Sequence, residues 1–517
     1  MAQAIHIPKS HLIMALSLPL AVILGYFLAE PLDSGSLAVV VFVMTIMAVP
    51  IMMKWYHLLM VFSWNSVIAP VFLPGRPTLW MAMGVGALLF ALLNRAVSPD
   101  RKFIQVSSIN RSILFLLGVV LATAALNGGL GIRVLGGERY GGKAYFCIVA
   151  AVAGYFAFCS QKIERGKAPL YLALFFLPGL LPLLSDLAVR IGPTASPIFF
   201  LWQPGSQVEA AGPAAAPDPF ASGAIRVTGF TFAGTALYSY VLAKYGFQGI
   251  FDLKKPFRLL FFIGALGLCA ACGFRSILIL FGFTFVALFF LEGLHRTKWL
   301  PASIGVGLLC AAALFPFVPK MPKTIQRTLS FLPVQVDPLI KLDTQGSTEW
   351  RLEMWKDVLP EVPKYLIKGK GYSFDSDDLF WTHLGQRARG VNLAHSGAML
   401  ANDFHSGPLS VIIPFGIFGV IGFVWFLGAG MHYLYRCIKF GNPELKQINT
   451  FLLAAFIGRT CLFFIIFGSL YTDLFVFTGI LGLGVSLNGR IEPAPEPEVV
   501  DEAFNPFSSI ADGKNSA

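Results

Sequence analysis

The sequence predicts an all-α polytopic membrane protein with about 12–14 transmembrane helices and one large outer loop containing an amphipathic helix. Three observations predict it. First, 56% of the 517 residues are hydrophobic and only 13% charged, where soluble domains carry about 25% charged residues. The mean hydropathy is +0.69, more apolar surface than a soluble core can bury. Second, apolar runs of about 20 residues, the length a bilayer core requires, recur along most of the chain. Third, the net charge of +11 is spread over short loops between those runs. Such basicity reads as a topology signal and argues against nucleic acid as a partner.

In chain order, the N-terminal transmembrane region (1–190) holds candidate spans at 11–30, 36–53, 56–73, 79–95, 112–127, 144–160 and 168–189. The first is read as an uncleaved span rather than a signal peptide. Its apolar run, Leu12 to Leu28, is long for a signal sequence and lacks a small-x-small site before Asp33. An outer linker (191–225) includes the Ala/Pro-rich stretch 203–223. Core helices (226–317) follow at 227–245, 257–273, 276–293 and 299–317, then the long loop 318–407. The C-terminal helices (408–490) lie at 408–434, 449–467 and 470–488, and the Pro/Glu-rich tail 491–517 is expected to be disordered in the cytoplasm. Lys54, Arg101, Lys102, Arg111, Lys162, Arg165, Lys167, Lys254, Lys255, Arg258, Arg296, Lys298, Arg436, Lys439 and Lys446 set the orientation. Cytoplasmic loops attract such residues, so both termini are read as inside, the span count as even, and 318–407 as outside.

Three features invite chemistry and have plainer readings. Cys269-x-x-Cys272 lies between Leu268, Ala270, Ala271 and Gly273, which points to small-residue helix packing rather than redox or zinc chemistry. Asp375-x-Asp377-Asp378 reads as a solvated loop rather than a calcium site. Arg459 falls near the middle of a span, where a charge is costly. It marks either a functional site or a structural ion pair.

The loop 318–407 carries Trp350, Trp355, Trp381, Tyr365 and Tyr372 among charges of both signs. Trp350, Met354, Trp355, Val358, Leu359 and Val362 recur at helical spacing, with Glu349, Glu353, Lys356 and Asp357 around the rest of the turn. That pattern is an amphipathic helix able to lie on the membrane surface or cap a cavity. Arg351 sits at the edge of its apolar stripe, and Pro363 and the Gly369-x-Gly371 turn end it. Arg226 before the eighth span, Arg275 in a tight outer turn and His405 before the twelfth span belong to the same face. Ser406 or Gly407 can cap that last helix, with Pro408 in its first turn.

Singly, an arginine at a helix end is more often an interfacial snorkeller, and a loop histidine is usually solvated. Their convergence on one face points elsewhere. Guanidinium forks pair with phosphate oxygens, and an imidazole accepts a proton near neutral pH. The set suits an anionic, lipid-linked substrate. A transporter or flippase of lipid-linked glycan is the alternative from another class, and a surface-binding protein without catalysis is a third.

The ordered motifs RVTGF, FRS, RTLSFL, STEWRLEMWKDVLPEV, GKGYSF and FHSGPLSVIIPFGIFGVIGF resemble the O-antigen ligase and O-antigen polymerase superfamily of bacterial envelope glycosyltransferases. The resemblance runs from about Arg226 to Gly489. It implies a metal-independent glycosyltransferase without cofactor, in the bacterial inner (cytoplasmic) membrane with the large loop periplasmic. The implied donor is an undecaprenyl-diphosphate-linked glycan. The acceptor would be a lipid, as in ligation to lipopolysaccharide, or a glycan, as in polymerisation. By motif, Arg226, Arg275 and Arg351 would hold the diphosphate, and His405, Arg275 and Arg351 would be catalytic. Trp350, Trp355, Trp381 and Tyr372 would offer ring faces to sugars. The family commonly has His-Asn where this chain has His405-Ser406, and Ser-Arg-Gly where it has Phe274-Arg275-Ser276.

Overall fold

A computed structural model describes residues 34–70, 76–98, 102–131, 139–202, 226–252, 254–378 and 398–491, with a few isolated positions besides. The expected span at 11–30 lies almost wholly outside the described residues, and the 203–223 stretch, Trp381 and the tail from Glu492 lie outside or at their edge. Among the described residues the fold is all-α, with one isolated antiparallel bridge between Tyr140 and Phe374.

The N-terminal helices are α1 (Ser34–Trp64), α2 (Leu79–Val97), α3 (Ser107–Leu126), α4 (Gly142–Phe158), α5 (Ala168–Phe176) and α6 (Leu183–Ile191). The middle of the chain forms α7 (Thr228–Ile250), α8 (Pro256–Ala270), α9 (Arg275–Leu291) and α10 (Trp299–Leu314). The long loop contains α11 (Lys323–Leu329) and α12 (Pro338–Val358). The chain closes with α13 (Gly407–Phe440), α14 (Lys446–Ile465) and α15 (Leu470–Asn488). Among the described residues seven helical stretches are long and apolar enough to cross a membrane, and α4, α8 and α9 are shorter apolar helices. The protein is thus an all-α polytopic membrane protein.

One pair of expected spans is corrected. The stretches 36–53 and 56–73 do not form two spans with a loop at Lys54. They form the single helix α1, which ends at Trp64. A lone lysine is a good helix former and stops nothing; its ammonium lies over the Trp55 ring at 5.4 Å. The stop comes at Ser63 and Ser66, whose hydroxyls bond the carbonyls of Met60 and Ser63 and so compete with the helical ladder. This removes one of the expected crossings.

Packing follows small residues. α4 lies against α15 and α2, α9 against α14, α7 against α8, and α3 against α13. Gly154 and Gly479 admit the Trp64 ring, Gly482 admits Phe158, and Gly234 admits the Cys269 thiol. Cys269 is therefore a buried packing residue, and it and Cys272 are free thiols. Without a hydrophobic drive between helices in lipid, such close approaches supply the contact.

The largest irregularity lies in α13. Pro414 cannot donate a backbone hydrogen bond, and Gly416 (φ 62°) leaves helical geometry two residues later. Broken backbone within a membrane persists only where other protein satisfies it, and here the segment 366–371 does so. Lys370 N and Gly371 N donate to the carbonyls of Ile413 and Pro414 at 2.8 and 2.9 Å, while Ile417 N donates to the Leu366 carbonyl at 2.7 Å. The far side of this segment is held by the α3–α4 end. Tyr372 N donates to Tyr145 Oη at 2.8 Å, and Asn127 Nδ2 donates to the Gly369 carbonyl at 3.3 Å.

Candidate functional site

The site is built on the loop end of the bundle, and the turn before α9 anchors it. Gly273 takes φ 83°, a conformation that side chains resist, and turns the chain sharply between α8 and α9. The Cys272 carbonyl accepts a hydrogen bond from Val227 N at 2.9 Å, drawing the start of α7 alongside. Arg226 thereby lies over the Phe274 ring at 5.4 Å, next to Arg275 at the first position of α9.

α11 ties this turn to the loop helix. Thr328 Oγ1 accepts from Gly273 N at 3.0 Å, and Arg327 Nη1 donates to the Gly273 carbonyl at 2.7 Å. Arg327 is buried, and its Nε donates to Asp343 Oδ2 at 2.7 Å. Asp343 stands on α12, the helix that carries Arg351. One buried arginine thus bridges the turn bearing Arg275 to the helix bearing Arg351.

α12 is the amphipathic helix foreseen around 350–362, but it begins earlier. Asp337 caps it by accepting from Leu339 N, and Pro338 takes its first position. Ile340, Thr344, Met354 and Val358 face inward. Met354 and Val358 pack with Phe404, Leu409 and Ile413, so the helix lies across the start of α13. Trp355 Nε1 donates to the Phe404 carbonyl at 2.8 Å, fixing the distance between α12 and the histidine turn.

In that turn Asn402 and His405 both adopt positive φ, 55° and 51°. Non-glycine residues pay for this conformation, and such outliers gather at functional sites. His405 Nδ1 lies 3.0 Å from Asp403 Oδ1. The imidazole sits between the Trp350 and Phe467 rings, each with its centroid 5.2 Å away in edge geometry. These contacts orient the ring and leave Nε2 as the nitrogen without a carboxylate partner.

The electrostatics of the arginines are unbalanced. Burial is the main cause that pushes the Arg226 guanidinium down to about 10. The Arg327 charge acts the same way, Asp343 opposes it, and Arg351 and Arg275 add to it. Burial also lowers Arg351, against the pull of Asp403 and with the push of Arg327. Arg327 has its carboxylate, but Arg226, Arg275 and Arg351 make no ion pair among the described residues. Arg351 Nε is buried without any hydrogen-bond partner. A buried guanidinium left this way is costly unless an anion completes it.

Of the residues singled out in the sequence, Arg226, Arg275, Arg351 and His405 therefore meet at one end, linked through Arg327, Asp343 and Asp403. Trp350 joins them against His405. Trp355 is committed to the Phe404 carbonyl. Tyr372 is corrected as a sugar contact: it is 2% exposed, with its ring packed by Tyr145, Phe415 and Tyr471. The Asp375 motif is not simply solvated, since Asp375 pairs with Arg139 at 2.7 Å. Among the described residues no group of three potential metal ligands occurs. Arg459 pairs with the buried Asp473, whose second oxygen accepts from Ser469 N at 2.9 Å.

Arg327 and Asp343 were missed as site residues, although RTLSFL stood out as a motif. The available signal was the Asp337-Pro338 helix start. It extends α12 back far enough to carry Asp343 two turns before Arg351.

No curated protein matches the chain. The family model described as O-antigen ligase matches residues 259–424. This segment runs from α8 into α13 and contains Arg275, Arg327, Arg351, Asp403 and His405, with Arg226 outside it. Residues 259–424 are thus similar to the O-antigen ligase family, within a polytopic membrane protein.

Proposed function

We propose that this protein is a glycosyltransferase that moves a glycan from a polyprenyl diphosphate, undecaprenyl diphosphate in the first instance, to an acceptor hydroxyl. The acceptor is a lipid in the ligase reading, which we favour, or a growing glycan in the polymerase reading. The observation that carries the proposal is the buried Nε of Arg351, without a hydrogen-bond partner among the described residues, beside Arg226 and Arg275, which make no ion pair among them. A diphosphate has the charge and the oxygens to complete these forks.

In this reading the acceptor oxygen attacks the anomeric carbon while the bond from that carbon to the diphosphate oxygen breaks. The electron pair leaves with the diphosphate, whose growing charge the arginines stabilise. The acceptor proton passes to His405 Nε2, and Asp403, against Nδ1, keeps the ring in the tautomer that can receive it. Trp350, next to His405, would offer its ring to a sugar. No step requires a metal. The site would lie on the periplasmic side of a bacterial inner membrane, with the basic ends of α8, α13 and α14 in the cytoplasm.

The test is transfer by purified protein from a labelled polyprenyl-diphosphate glycan. His405→Ala and Arg275→Ala should fold yet lose most of their glycan transfer; wild-type rates in both would refute the mechanism. Mass spectrometry of envelope glycolipids after deletion distinguishes the acceptors. Accumulated lipid-linked polymer indicates a ligase, and accumulated single repeats indicate a polymerase.

A further inference from the structure

At the end of the bundle opposite the arginine cluster, two cavities of about 290 and 190 Å³ adjoin, with Arg490 and Ile491 lining both. The larger is walled by the first turn of α3 with Ser107 and Ser108, and by His432 and Arg436 near the end of α13. The smaller adds Lys162, Arg165 and the amide of Asn488. Among the described residues no aspartate or glutamate lines either one. Arg436 is held in place by a hydrogen bond to the Ile491 carbonyl at 3.2 Å and lies 6.0 Å from the Phe440 ring.

We infer that these joined cavities are a binding site for the phosphate of an anionic lipid headgroup. The chemistry is that of a phosphate: guanidiniums and an ammonium from three separate segments, two serine hydroxyls, and first-turn N–H groups of α3 that point outward for want of helical partners. The location favours a lipid over a soluble anion. The cavities lie where α3 begins and α13 and α15 end, and Tyr435 and Phe440 near the end of α13 are exposed, 52% and 45% accessible, as aromatic residues that anchor at the headgroup boundary are. Basic pockets between membrane helices on the positively charged side bind such headgroups. The site is independent of the glycan-transfer reading, since none of its residues touches the arginine cluster.

The experiment is native mass spectrometry of the full-length protein, purified in detergent and offered equal amounts of phosphatidylglycerol and phosphatidylethanolamine. The protein should retain phosphatidylglycerol preferentially. The double variant Arg436→Gln with Arg490→Gln should lose that preference about tenfold or more, as expected for the removal of two cations from the lining. Lys254→Gln, an exposed cation elsewhere on the same end, should change nothing. Arg436→Lys with Arg490→Lys keeps the charges and should keep the lipid, separating lost charge from lost folding. In the wild type, rising salt should strip phosphatidylglycerol and spare phosphatidylethanolamine. Equal retention of the two lipids, or an unchanged preference in the glutamine variant, overturns the site. Thermal stabilisation by inorganic phosphate alone, matching that by the lipid, overturns the lipid as its source.

Discussion

The end of the bundle covered by α12 and the interior around Arg459 treat positive charge in opposite ways. Inside, Arg459 is answered by Asp473, a carboxylate from the neighbouring helix that is itself anchored to Ser469. At the loop end, among the described residues, Arg327 is answered by Asp343, while Arg226, Arg275 and Arg351 lie close together without an ion pair. A charge balanced within the chain holds the fold together. A set of charges held close without balance raises the energy of the free protein and lowers that of an anion complex. The same residue type therefore has a structural role in one place and a binding role in the other.

Breaking the two regions separately tests the comparison. The largest expected effect is on catalysis. Arg351→Ala and Arg275→Ala should each cut glycan transfer by about 10²–10³-fold, with little change in melting temperature. A loss of folding in these variants would erase the distinction. Arg459→Ala should do the reverse. It leaves Asp473 buried and unpaired, costing about 3–5 kcal/mol, and yield and thermal stability should fall sharply. Arg459→Leu combined with Asp473→Leu should recover much of that stability. A stable but inactive Arg459→Ala would instead place Arg459 with the functional set.

Asp403→Asn should have a smaller effect, lowering kcat by about 10–100-fold with KM nearly unchanged, because it weakens the orientation of His405 without removing the proton acceptor. Smaller still is Asp343→Asn, which releases the Arg327 charge into the cluster. Pyrophosphate, as a stand-in for the donor's diphosphate, should bind a few-fold tighter to this variant by calorimetry while the melting temperature drops. Weaker binding would mean that Asp343 acts on the ligand directly.

The spans from Leu79 onward were legible because lipid imposes one simple demand, a long apolar run, and almost every run became a helix. α1 was misread because a single lysine looks like a loop in a charge count, whereas the backbone breaks only where serines draw hydrogen bonds away from the ladder. Arg226, Arg275, Arg351 and His405 were legible as types at helix ends on one face. Arg327 and Asp343 were not, because a buried pair between α11 and α12 leaves no periodic trace. Tyr372 misled for the opposite reason. In sequence it lies in a polar loop, but that loop dives against the kink of α13 and carries the ring into the core.

The seam between segment 366–371 and that kink has a practical consequence for protein engineering. It is made of main-chain bonds from Leu366, Lys370 and Gly371 to Ile413, Pro414 and Ile417, so its strength does not depend on most of the side chains around it. The residues between the two attachment points, including the turn that ends in His405, can be exchanged for those of another sequence while the attachment itself stays intact. A loop swap with its borders at Phe374 and Ser406 would exchange the histidine turn and leave both the bonded residues and α13 in place.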